Sequence, residues 1–133
     1  MTRRAHTRVE VERKLRERQF DAREIEETIA RAKELKLMED DAAIADRYAK
    51  SLAERRDATP VWTRQKLEQR GIVGDVAREA VARAFDGWDE RAAAKALLGT
   101  ETHAGRASRK LKRRGFSTET IMAVVRTLGR DED

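Results

Sequence analysis

The sequence predicts an all-α protein: tandem three-helix repeats in an elongated array, about eight helices along 133 residues. Three observations carry this. Only 39% of the residues are hydrophobic and 41% are charged, so each helix can bury one stripe and must show charge elsewhere. Alanine, arginine, glutamate and leucine are frequent, valine and isoleucine are sparse, and Pro60 is the single proline, which is a helical composition. Finally, one eight-residue pattern occurs three times: RKLRERQF from Arg13, QKLEQRGI from Gln65 and RKLKRRGF from Arg109.

The pattern aligns Lys14, Lys66 and Lys110, each followed by Leu15, Leu67 or Leu111. Three residues later come Arg18, Arg70 and Arg114, then Gln19, Gly71 and Gly115, then Phe20, Ile72 and Phe116. The copies are offset by 52 and then 44 residues, as in helical repeat arrays. Each copy reads as helix, turn, helix. The leucine faces inward, and the glycine ends the helix in a left-handed conformation. The next apolar residue then packs back on the last turn. Gln19 departs from this rule and is expected to cost about 1 kcal/mol if left-handed.

The second helix of each unit opens on a cap. Asp21 with Glu24 forms a capping box and Ser117 is a good N-cap, whereas Val73 stands where the middle cap belongs, so Gly74 or Asp75 starts that helix. Ile121, Val124, Val125 and Leu128 keep the one-face spacing of a buried helix. A third helix follows in the first two units. Asp40 and Asp41 cap one with Ile44, Tyr48 and Leu52 on a face; Asp89 opens another with Ala92, Ala96 and Leu97 in the corresponding places. Pro60 fits a first helical turn. The expected organisation is one repeat domain, with units at 1–57, 58–99 and 100–133, the last incomplete.

These residues and their order resemble the RecX family of regulatory proteins. The resemblance rests on Asp40-Asp41 opening a helix, Arg70-Gly71-Ile72, and Arg114-Gly115-Phe116-Ser117, and covers about residues 7–128. Gln19 and Ala43-Ile44-Ala45 depart from the family's usual pattern. The resemblance implies tandem three-helix repeats in a curved shape and a non-enzymatic modulator of the RecA recombinase, acting in recombination, DNA repair and the SOS response. Such a protein lies in the groove of the RecA–single-stranded-DNA filament and most often depresses RecA activity; some family members bind DNA directly.

The net charge of +5 argues for polyanionic partners in general. The densest basic segment runs from Arg106 to Arg114 and includes Arg109, Lys110, Lys112 and Arg113, six cations in nine residues. Together with Lys66 and Arg70 these are the candidate filament or nucleic-acid contacts. At Lys14 and Arg18 the argument weakens, because Glu12 and Glu17 intervene. Trp62, Trp88, Phe85 and Tyr48 read as core or junction residues, so phosphate contact is favoured over base stacking. Arg3 and Arg4 read as a solvated end, and Asp131 to Asp133 as a solubilising tail.

Catalysis finds no constellation. His6 and His103 stand alone, no cysteine is present, and there is no phosphate-binding glycine loop, so neither metal nor cofactor is expected. Without an apolar run of membrane length or a signal segment, a cytoplasmic monomer is the expectation. A second function remains open: a DNA-binding helix-turn-helix protein using RGFSTETI, although the helix after Ser117 offers only Arg126 and small polar groups outward.

Overall fold

A computed structural model describes residues 5–128; the positions Arg3, Arg4 and Asp131 to Asp133 lie outside the described residues. Eight helices and no strand occur among the described residues: α1 Arg8–Glu17, α2 Ala22–Glu34, α3 Asp41–Ala53, α4 Pro60–Gln69, α5 Gly74–Ala84, α6 Glu90–Leu98, α7 Ala104–Arg114 and α8 Thr118–Arg126.

The local signals act largely as their chemistry requires. Asp21 and Glu24 form a complete capping box, Ser117 accepts from the Thr120 N–H, and Pro60 sits in the first turn of α4. Thr7 and Glu10 form a second capping box that the sequence reading missed, and Thr59 caps α4. Val73 holds the cap position of α5 without a side-chain bond, and α5 begins at Gly74. Asp40 caps α3 by backbone geometry alone, because its carboxylate pairs with Lys33 at 3.2 Å. Its neighbour Asp41 instead accepts the Arg8 N–H at 2.9 Å and so ties α1 to α3.

Two buried clusters organise the chain. Ile44, Ala45 and Ala49 of α3 pack with Leu67, Ile72, Ala77, Ala80 and Val81 of α4, α5 and their turn. Ala94 and Leu98 of α6 pack with Ala107, Leu111, Phe116 and Val124 of α7, α8 and theirs. Alanine lets helices approach closely, and each fully buried leucine or isoleucine contributes about 1.5–3 kcal/mol. The packing unit is thus α3–α5, then α6–α8, with α1 and α2 as a two-helix remainder. It is out of phase with the sequence register that divides the chain at 57 and 99. The inward face of α6 also differs from expectation: Ala94 and Leu98 are buried, while Ala92 and Ala96 are exposed. The run AAAKALL carries apolar residues on every side, so its spacing could not select a face.

At the start of α8, Glu90 of α6 accepts the Ser117 N–H at 2.8 Å. Partial desolvation favours the neutral acid, but hydrogen bonds from Ser117 and Thr120 outweigh it and hold this carboxyl below its ordinary range.

The units interlock through the repeated turns. All three turns share one hydrogen-bond pattern, with the N–H of Phe20, Ile72 and Phe116 donating to the carbonyls of Leu15, Leu67 and Leu111. Residue 19, 71 or 115 is left-handed in each, with φ of 69°, 87° and 92°. The Thr7 hydroxyl donates to the Arg70 carbonyl at 2.6 Å, and the Thr59 hydroxyl donates to the Arg114 carbonyl. Two residues beyond each threonine, Val9 lies over Gly71 and Val61 over Gly115. A Cβ added to those glycines would meet valine carbons at 2.6 and 3.1 Å. Gln19, by contrast, is exposed, and only backbone strain opposes its side chain.

Gly71→Ala therefore combines left-handed strain with a clash and is expected to cost about 2–4 kcal/mol in urea denaturation. Gln19→Gly should stay within about 1 kcal/mol of the parent. Val73→Ser, which restores the missing cap, should raise stability by about 1 kcal/mol in the same measurement.

Candidate polyanion interface

The sequence AGRASRKLKRR of α7 contains no acidic residue. His103 caps its start by accepting the Arg106 N–H at 3.2 Å, and left-handed Gly115 ends it. Ala107 and Leu111 anchor the helix in the second cluster. With that side buried, a helical period of about 3.6 residues turns Arg109, Lys112 and Arg113 to the opposite face at i, i+3 and i+4 spacing. All three are exposed and have no carboxylate partner among the described residues. Their mutual repulsion is tolerated because the face is in water and two of them lie in the last turn, where the helix dipole favours cations.

The other candidate contacts divide differently. Arg106 pairs with Glu101 at 2.9 Å and holds that carboxyl below its ordinary range, chiefly through the hydrogen bond between them. Lys110 donates to the Leu97 carbonyl at 3.1 Å and so closes the C-terminal end of α6. Arg70 is only 9% exposed. It reaches Glu10 at 3.1 Å, donates to the Ala5 carbonyl and lies 4.9 Å from the centre of the Tyr48 ring. Arg114 pairs with Asp57 and lies 4.8 Å from the Trp62 ring centre. Arg70 and Arg114 are therefore internal struts of the two junctions. Their repeated arginine is explained by the neighbouring unit and needs no external phosphate.

Lys66 lies 5.6 Å from the Trp62 ring centre, with Arg55 on the same ring at 4.9 Å. Neither Arg55 nor Trp62 was singled out as a contact by the sequence. The signal was there in the register, since Trp62 occupies the place of Glu10 in the first unit and Arg106 in the third. Trp88, partly buried, packs against the second cluster, edge-on to Phe85 at 5.5 Å and 6.0 Å from Phe116. Around His6, Lys14 approaches the imidazole at 3.3 Å. No group of three or more metal-ligating side chains occurs among the described residues, and no helix there is long and apolar enough to cross a membrane.

Alanine at Arg70 removes a nearly buried guanidinium from Glu10 and from the Ala5 carbonyl, and is expected to cost about 3 kcal/mol or more, seen as a lowered melting temperature. The triple change of Arg109, Lys112 and Arg113 to alanine removes no side-chain hydrogen bond or ion pair among the described residues, and each step should alter stability by less than about 0.5 kcal/mol.

The family model described as "RecX, first three-helix domain" matches residues 1–31, a stretch that includes α1 and most of α2. The chain is 36% identical to the regulatory protein RecX of Chlorobaculum tepidum over 132 residues, covering 92% of this chain and 79% of that one. No solved structure matches it. An all-α repeat with its turns and junctions in the same register, joined to this extent of identity, makes the chain a member of the RecX family of regulatory proteins.

Proposed function

We propose that this protein binds the groove of the RecA–single-stranded-DNA filament and lowers the ATPase, recombinase and coprotease activities of RecA. Family membership supplies the regulatory role. The observation that carries the contact is the outer face of α7, where Arg109, Lys112 and Arg113 stand together on a helix without acids. Side chains already committed to internal pairs gain little from a new anion, whereas these three gain charge-assisted hydrogen bonds and release counterions from a phosphate backbone. Binding of this kind changes RecA only as far as it favours one filament state over another. The protein acts here as a non-enzymatic ligand, and needs no cofactor.

The helix-turn-helix alternative would send α8 into a major groove. Glu119 and Met122 join Arg126 on the exposed side of that helix, a poor set for reading base edges, and α8 contributes Val124 to the core.

The test is ATP hydrolysis by RecA of the same source on single-stranded DNA, titrated with the protein. Hydrolysis is expected to fall, and the triple alanine variant of Arg109, Lys112 and Arg113 should need roughly ten-fold more protein or greater for the same effect. Its salt dependence should flatten by about two in the slope of log affinity against log salt, the share of three lost phosphate contacts. Unchanged hydrolysis by the folded parent protein would refute the RecA reading.

A further inference from the structure

The two junctions share one backbone interlock but differ in charge. In the first, Arg70 meets the Glu10 carboxylate in a nearly closed site and lies 4.9 Å from the Tyr48 ring centre. In the second, the residue at the place of Glu10 is Trp62, and three cations converge on its ring: Arg114 at 4.8 Å, Arg55 at 4.9 Å and Lys66 at 5.6 Å. Asp57 is the one carboxylate paired with this group among the described residues, bonded to Arg114 and 3.5 Å from Arg55. Lys66 has no carboxylate partner there. The first junction holds its turn arginine on a tyrosine ring, so what sets the second apart is the convergence of Arg55 and Lys66 on the indole beside Arg114.

An indole face attracts cations and holds them in place without neutralising them. The ring is half-buried, which leaves part of it open to solvent. Arg113, on the free face of α7, is the neighbour of Arg114 in the chain. Cations that track a backbone beside an aromatic ring that takes a base are the combination used for single strands.

We infer that Trp62, with Arg55 and Lys66 and beside the strut Arg114, forms a subsite for one nucleotide of single-stranded DNA. The phosphate is held by Arg55 and Lys66 and the base lies against the indole, displacing the more distant Lys66 ammonium from the ring toward the phosphate. The inference rests on the proposed function in that the strand is the one carried by the filament. It departs from the sequence-level expectation, which favours phosphate contact over base stacking and places Trp62 in the core or at a junction.

The test uses the full chain and a labelled oligothymidylate, beside an abasic deoxyribose-phosphate strand of the same length. Anisotropy of the label reports binding, and tryptophan emission reports the ring. Oligothymidylate is expected to quench emission saturably, and the abasic strand to quench it far less. The quenching should vanish in Trp62→Phe, whose remaining emission belongs to Trp88. Trp62→Ala should weaken oligothymidylate binding about ten-fold, within the range for loss of one stacked base. Lys66→Gln, outside the interlock, should weaken both strands alike while the melting temperature holds. Binding with unchanged emission and unchanged affinity in Trp62→Ala would overturn the subsite and leave RecA regulation standing. Equal quenching by both strands would overturn the base contact. If neither strand binds while RecA hydrolysis still falls, the subsite is refuted and the α7 face meets protein.

Discussion

A threonine hydroxyl donated to the last carbonyl of a neighbouring arginine–glycine turn joins each unit of this protein to the next. The bond satisfies a carbonyl that a helix end would otherwise leave open. It requires the valine two residues along to lie against the turn, which only a glycine permits. It also brings the turn arginine within reach of the preceding unit, where Arg70 finds Glu10 and Arg114 finds Asp57. The hydroxyl and valine recur at the 52-residue offset, and the arginine at both the 52- and 44-residue offsets of the aligned leucines. The internal duplication is therefore a duplication of the contact between units as well as of the units.

The same constraint explains where the repeat is allowed to drift. At the first turn, Gln19 takes the left-handed conformation with its side chain in solvent, and Phe20 is 37% exposed where Ile72 and Phe116 are buried. In the third unit, His103 and Gly105 stand at the places of the threonine and valine. They serve α7 itself, His103 as its cap. Glycine is kept at the turns on which another helix rests and is lost at the one that is exposed.

Charge is partitioned by the same logic. A chain with 41% charged residues could hide any functional surface in a uniform background. Removing the cations with an internal task, namely Arg70, Arg106, Lys110 and Arg114, leaves a connected group on α7 and a second around Trp62. Exposed pairs such as Arg23 with Glu27 or Arg64 with Glu68 each contribute only a few tenths of a kcal/mol and leave no net charge behind. What distinguishes α7 is the absence of acids, which leaves its outward field uncancelled.

The sequence by itself determined the helical class, the repeat, the three turns and most caps, because these depend on residues within one or two helical turns of each other. Asp21 with Glu24, Ser117, and the spacing of Val124 with its neighbours were legible for that reason. The basic segment of α7 was legible too, as a local excess of charge. The tertiary structure decided what depends on distant partners. Arg70 and Glu10 are 60 positions apart, and Thr59 and Arg114 are 55 apart, so no local pattern could reveal that both arginines turn inward. The face of α6 was undecided for the opposite reason, since its alanines and leucines made every side apolar. Packing against α8 and the α7 core chose Ala94 and Leu98.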